Sequence, residues 1–348
     1  MKKFISIVLA LTMLLTLTAC GQKEPESPVP ESPIQSNVAD VEESKYPLSV
    51  TDQAGRNVTI EKEPQRLISS YYITTSLIMA LDLGDKLVGI ENTPEKRPVY
   101  ALSDPELLEL PCIGTVKELD MEQCAALEPD LLILPMKLQH AVEILEELGM
   151  TVILVNPESQ TLLEEMIDLV GTATNTEEEA QALLAYISAQ KERLEETLEH
   201  VEKPSVYLAG NSDFLSTAGG AMYQSDLIRM AGGQNVAAEI TDTYWAEVSY
   251  EQILSWDPEY IILASAAGYT AEDVLADPNL AGCRAIVNGN VYQIPDTAEA
   301  WDSPVPGSIL GAVWLSGILH PEACPEEETL GMINEYYERF YDFTYQEN

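Results

Sequence analysis

The sequence predicts an α/β fold of two lobes joined by one long helix, and three observations predict it. Short apolar runs alternate with helical patterns along most of the chain, as in Leu67-Ile-Ser-Ser, Asp130-Leu-Leu-Ile-Leu and Tyr260-Ile-Ile-Leu-Ala, which is the pattern of mainly parallel sheets covered by helices. The stretch Thr176 to Val201 has no Gly or Pro and repeats apolar residues at helical spacing, so it reads as a single amphipathic helix. One segment also recurs: Met121-Glu-Gln-Cys-Ala-Ala-Leu-Glu-Pro-Asp-Leu-Leu-Ile-Leu is answered by Tyr250-Glu-Gln-Ile-Leu-Ser-Trp-Asp-Pro-Glu-Tyr-Ile-Ile-Leu. Together these imply two Rossmann-like lobes, parallel sheets flanked by helices, with a ligand cleft between them.

The elements follow in chain order. Lys2 and Lys3 precede the apolar run Phe4 to Leu17, which Leu17-Thr18-Ala19-Cys20 closes. The run is shorter than the roughly twenty residues that span a bilayer. Small residues before a cysteine mark residues 1–19 as a lipoprotein signal that leaves Cys20 lipidated at the mature N-terminus. The chain is therefore expected outside the cytoplasm, lipid-anchored to a membrane. Residues 20–46 are rich in Pro, Glu and Ser; such a segment buries too little apolar surface to offset its ordering entropy, and reads as a tether.

An N-terminal lobe is expected over 47–172. It opens with a hairpin, Leu48 to Asp52 and Asn57 to Glu61 about Gln53-Ala-Gly-Arg. Further strands are Lys86-Leu-Val-Gly-Ile and Thr151-Val-Ile-Leu-Val, with helices over 139–148 and 162–170. The interlobe helix, 173–203, takes Asn175 or Thr176 as its cap and is followed by Pro204; at 1.5 Å per residue it runs about 35 to 40 Å. The C-terminal lobe, 204–348, adds strands at Ser205-Val-Tyr-Leu-Ala and Asn290-Val-Tyr-Gln-Ile and a helix over 309–319. In both copies of the repeat a cap residue stands three positions before a glutamine, Asp120 with Gln123 and Ser249 with Gln252, as in a capping box.

Lys and Arg number 18 against 58 Asp and Glu, a net charge of −40. Nothing supplies the basic face that nucleic-acid binding requires. After Cys20 only Cys112, Cys124, Cys283 and Cys324 remain, without Cys-x-x-Cys spacing; they read as buried thiols or one local bridge, and a zinc site is not expected. The sequence contains no Gly-x-Ser-x-Gly elbow, phosphate-cradling glycine loop or His-Glu-x-x-His, and His140, His200 and His320 stand far apart. An enzyme is therefore not expected, although this fold class hosts many. A lipid-anchored adhesin is the other class of reading.

Ligands of open α/β sheets bind beyond the carboxyl ends of the strands. That rule nominates Tyr71, Tyr72, Asn92, Met136 and Lys137 in the first lobe, and Phe214, Trp245, Tyr269, Trp301 and Asp302 in the second. Each aromatic also has a plain reading as lobe-edge packing, and Phe214 as core. Asp302 has another as the cap of its own turn. Lys137 is the only cation among them, with Arg229 and Arg284 unplaced, so a neutral ferric hydroxamate or a corrinoid suits the cleft better than a strongly anionic catecholate. Tyr71, Tyr72 and Met136 keep haem open, and helix N-termini an oxyanion such as molybdate.

These residues resemble the class III substrate-binding proteins of ABC importers, which serve iron-siderophore, cobalamin and haem uptake. The likeness rests on Val50-Thr-Asp-Gln-Ala-Gly-Arg, Pro64-Gln-Arg-Leu-Ile-Ser, the two Glu-Gln helices with their Pro-Asp and Pro-Glu strand entries, the long helix, and Trp301-Asp-Ser-Pro-Val-Pro. The resemblance implies lobes braced by a rigid helix that limits closure to small motions. A monomer is expected, its ligand a cargo, an iron-siderophore or related metal chelate or a corrinoid, with no resident cofactor or protein-only metal site. It implies partners in a permease dimer and its ATPase, docked through Glu122 and Glu251. Both glutamates fall at the second position of equivalent helices, where the helix dipole alone also favours an acid.

Overall fold

The computed structural model describes residues 45–243 and 245–346. The signal, Cys20 and all but the last two residues of the tether segment lie outside the described residues. Those last two are fastened rather than loose: Lys45 pairs with Glu177, and the Tyr46 hydroxyl donates to the Ala173 carbonyl at 3.0 Å.

Strands β1 (Leu48–Thr51) and β2 (Asn57–Ile60) form the expected antiparallel hairpin. Asp52 makes its turn: Oδ1 accepts from Ala54 N at 3.0 Å and Arg56 N at 2.9 Å, while Gly55 takes φ +76°, a conformation that glycine adopts without steric cost. Oδ2 accepts from Leu154 N at 3.1 Å and ties the hairpin to the first sheet.

That sheet contains β3 (Leu67–Ser69), β4 (Leu87–Gly89), β5 (Leu131–Pro135) and β6 (Val152–Val155), all parallel in the order β4-β3-β5-β6. The second sheet contains β7 (Ser205–Ala209), β8 (Ser216–Ala218), β9 (Gln234–Asn235), β10 (Trp245–Glu247), β11 (Tyr260–Leu263) and β12 (Val291–Gln293). Its order is β10-β8-β7-β11-β12 with β9 beside β7, and β8 pairs antiparallel with both its neighbours.

Both sheets are buried on two faces. Leu131 and Ile133 of β5, with Val206 and Leu208 of β7, belong to one core that runs through both lobes, and Leu132 and Leu134, or Tyr207 and Ala209, belong to a separate core on the outer side of each sheet. Continuous apolar runs such as Leu-Leu-Ile-Leu are what two-sided burial demands.

The long helix spans Glu177–Thr197, 21 residues, about 30 Å at 1.5 Å per residue. It packs on helix Gln160–Thr174 of the first lobe and on helices Tyr223–Met230 and Ile309–Leu319 of the second. Asn175, expected as its cap, instead ends the preceding helix in the left-handed conformation at φ 62°.

The repeated segment is structurally a repeat. Helices Met121–Ala126 and Tyr250–Trp256 each start on a side-chain cap, Asp120 to Gln123 N at 2.9 Å and Ser249 to Gln252 N at 3.3 Å. The reciprocal half of a capping box is instead seen at Thr270 with Asp273. Each copy ends on an acidic residue of positive φ before proline, Glu128 at 47° and Asp257 at 45°. The next acids fasten the neighbouring strand, Asp130 accepting from Gln65 N at 3.0 Å and Glu259 from Ser205 N at 2.8 Å. Cys112 is exposed and Cys124, Cys283 and Cys324 are buried, all as free thiols.

Candidate functional site

The carboxyl ends of the two sheets carry the candidate residues, and the structure sorts them into three groups. Tyr71, at the end of β3, lines a recess of about 40 Å³ with Pro135, Met136, Lys137, Asn156 and Glu158. Tyr72, the first residue of helix Tyr72–Ala80, meets Tyr71 edge to face at 5.4 Å and lines a cavity of about 110 Å³ that both lobes enclose. Tyr71, Tyr72, Met136 and Lys137 are thus neighbours along one cleft wall.

A second group frames the cleft. Asn92 is exposed and clamps the loop after β4, exchanging backbone and side-chain bonds with Gly114 at 2.7 and 3.1 Å. Tyr269 donates to the Gly210 carbonyl at 2.5 Å. Trp245 is 37% exposed on the edge strand β10, its ring so close over Gly210 that a Cβ there would lie 3.0 Å away. Asp302 is 3% exposed; it accepts from Ser265 Oγ at 2.5 Å and Ser265 N at 3.2 Å, fixing the loop after β11, and also bonds to its own backbone.

The third group is core. Trp301 is 1% exposed, its indole N–H donating to Tyr337 Oη at 2.8 Å and its ring lying against Tyr345, so it presents nothing to a ligand in this structure. The cause is helix Glu326–Phe340 and the segment after it, which cover the loop. Phe214 packs among Tyr207, Tyr250 and Tyr269, its plain reading.

Sequence reasoning missed the residues that charge the interlobe cavity. Lys96 and Arg97 line it from the first lobe, with Tyr72 and Ser76; Ser265 and Glu299 line it from the second. The Arg97 guanidinium stacks 3.8 Å over the Tyr72 ring, and its Nε has no hydrogen-bond partner among the described residues. The strand-end rule that nominated Asn92 extends to these two cations a few residues later in the same loop. Arg229 and Arg284, in contrast, pair with Asp226 and Asp257 at the surface.

Around the cavity, buried carboxyls are held above their ordinary values. Burial raises Glu91 against donated hydrogen bonds from Tyr100 at 2.6 Å and Thr75 at 2.7 Å. Burial raises Asp302 against the bonds from Ser265. Burial also pushes Glu299 up to about 8, although Tyr341, Tyr337 and Ser76 bond to it. Desolvation favours the neutral acid in each case.

A second interlobe space, about 320 Å³, lies beyond Asn156 and Glu158 and reaches Thr241, Asp242 and Thr243. A hollow of about 560 Å³ sits at the far end of helix Tyr72–Ala80 among Asp82, Asp85, Asp104 and Arg339; it is remote from the strand-end loops. No group of three or more His, Cys, Asp or Glu among the described residues is placed to hold a metal ion.

Glu122 and Glu251 are both exposed, at the second position of their helices. A hydrogen bond from its own backbone N–H, with one from the Ser249 side chain, lowers the Glu251 carboxyl below its ordinary value.

The family model described as "Periplasmic binding protein" matches residues 67–298. The chain is 25% identical over 324 residues, 85% of its length and 92% of the relative's, to the molybdate-binding protein MolA of Haemophilus influenzae. It is 23% identical to the petrobactin-binding protein YclQ of Bacillus subtilis, over 84% of this chain and 91% of that one. Among solved structures, MolA bound to molybdate superposes with a TM-score of 0.76 at 23% identity, covering 86% of this chain and all of that one. Helicobacter pylori CeuE does so with 0.74 at 22%, covering 85% and 96%.

Proposed function

The chain belongs to the periplasmic binding protein family and is a substrate-binding protein of ABC importers, not an enzyme; from that premise we propose that its cargo is a small tetrahedral oxyanion of the molybdate class. The observation that carries this is Arg97, stacked on Tyr72 with an unpartnered Nε at an interlobe cavity of about 110 Å³. Organic ligands of drug size fill pockets of roughly 300 to 1,000 Å³, so a corrin or porphyrin would need the lobes to part. A guanidinium fork is the preferred partner of an oxyanion, and stacking on an aromatic ring pre-orients it. Lys96 adds a second positive charge and Asp296 an acidic side chain opposing it; the Ser265 and Ser76 hydroxyls of the lining are engaged by Asp302 and Glu299. The likeness to MolA, a molybdate-binding protein, supports the same cargo.

Isothermal titration of the purified protein with molybdate, tungstate, a ferric hydroxamate, cobalamin and haem tests the reading. Molybdate and tungstate are expected to bind with one site per chain. Binding of a ferric chelate or cobalamin, with no response to either oxyanion, overturns it and moves the cargo to the 320 Å³ space beyond Glu158.

Two further parts belong to the same proposal. Leu17-Thr18-Ala19-Cys20 supports a lipid anchor; Cys20→Ala is expected to release the protein from the membrane fraction. The equivalent, exposed Glu122 and Glu251 support docking on a two-fold permease, one glutamate per subunit.

A further inference from the structure

Glu299 stands where the cargo cavity meets the junction of the lobes. It lines that cavity with Arg97, Lys96, Tyr72 and Ser76, yet its residue is only 4% exposed. Its Oε1 lies 3.2 Å from Tyr341 Oη and its Oε2 3.3 Å from Tyr337 Oη. Tyr341 shares its one proton between Glu299 and the Ser76 carbonyl, 3.1 Å away, and Tyr337 accepts from Trp301 Nε1 at 2.8 Å. Gly307 presses against the carboxyl from behind, where any side chain would collide with Oε2. No ion pair to Glu299 is found among the described residues: hydroxyls surround it, and no cation is bonded to it.

We propose that Glu299 sets the charge of the cleft wall and thereby the pH range over which the anion is held, an inference that rests on the oxyanion reading. The groups that face it are Tyr336 and Tyr337 from helix Glu326–Phe340, Tyr341 beyond it, Asp296 on its own loop, and Lys96 and Arg97 across the cavity. Glu91 and Asp302 are further buried acids in the same region, behind Thr75 and Ser265. Burial raises Tyr336, Tyr337 and Tyr341 well above their ordinary values, so all three stay protonated wherever Glu299 titrates. Burial holds Glu299 itself near 8. At neutral pH the Glu299 carboxyl is therefore mostly uncharged, and the cavity lining presents Arg97 and Lys96 with Asp296 as its other acidic side chain. Once Glu299 ionises, a further negative charge stands in a water-poor wall and repels a dianion. Proton and anion then bind together by linkage.

The test is the dissociation constant of molybdate between pH 6.5 and 9, a range in which molybdate remains a dianion, for wild type, Glu299→Gln and Tyr341→Phe. An anion that binds only the neutral form weakens roughly tenfold from pH 7 to pH 9 for a group titrating near 8. Glu299→Gln is expected to abolish that slope. Tyr341→Phe removes a donor to the ionised carboxylate and is expected to move the fall to higher pH; it carries the test should Glu299→Gln not fold. Wild type that binds molybdate with no slope, or variants that keep the wild-type slope, overturn the role of Glu299 and leave the oxyanion reading standing. No oxyanion binding at any pH overturns both.

Discussion

At the scale of single residues, Arg97 and Trp301 separate binding from packing. Arg97 is half-exposed and backed by Tyr72, so Arg97→Ala removes charge without opening the core. A hydrogen bond to a charged group is worth about 1.5 to 3 kcal/mol, and each 1.4 kcal/mol is about tenfold in affinity. Arg97→Ala is expected to weaken molybdate ten- to a hundredfold by calorimetry, with the thermal midpoint nearly unchanged. Trp301→Ala is expected to do the reverse. It empties a site closed by Tyr337 and Tyr345, and losses of about 3 to 5 kcal/mol are usual for such truncations; urea unfolding with an unchanged slope reads it directly. Glu299 adds a signed pH effect on stability. Its folded value, about 8, lies above its ordinary 4.5, so its contribution is fully present below about 4.5 and is lost as pH rises to 8. The stability of wild type relative to Glu299→Gln is expected to fall across that window.

These residues also show what was legible at the site. The strand-end rule brought together Tyr71, Tyr72, Met136 and Lys137, which are neighbours along one wall. It failed on Trp301 because burial there is imposed by a helix some 25 to 40 positions later in the chain. It stopped short of Arg97 because loop length beyond a strand end is not encoded in local pattern.

At the scale of elements, stability rests on caps and on the brace. Asp120 and Ser249 each satisfy an otherwise unpaired N–H at a short helix, and replacing either by Ala is expected to cost about 0.5 to 2 kcal/mol by denaturant titration. The brace is probed at Ala185, an exposed position between buried Leu183 and Tyr186. Ala185→Gly is expected to lower stability by about 1 kcal/mol without altering affinity, because no packing contact is lost. This helix was legible from its unbroken spacing, though its last residues, Leu198 to Val201, turn away from the axis. The parallel strands were legible as apolar runs. Strands β8, β9 and β10, of three, two and three residues, carry no alternation to read. Helix Glu326–Phe340 was not singled out, although Thr329, Met332, Ile333, Tyr336 and Tyr337 repeat at helical spacing; for that element the signal was present.

At the scale of the whole molecule, the continuous core decides how it moves and what it shows to a partner. Because apolar residues of both sheets and the brace pack as one body, a wide opening would expose them to water at about 25 cal/mol for each Å². That cost opposes a wide opening of the lobes. Fixed surface features then suit recognition by a partner, and Glu122 and Glu251 are such features. Each sits at the start of a helix of the same construction, exposed, and displayed by a scaffold whose copies match down to their positive-φ exits at Glu128 and Asp257. Glu122→Arg combined with Glu251→Arg is expected to abolish uptake and permease-stimulated ATP hydrolysis in reconstituted vesicles. Molybdate affinity in solution should stay at the wild-type value, because neither side chain lines the cavity. Each single variant should retain part of the activity, since the two sites lie in different lobes and such distant changes combine additively. Normal uptake by the double variant, or a parallel loss of ligand affinity, rejects the docking role.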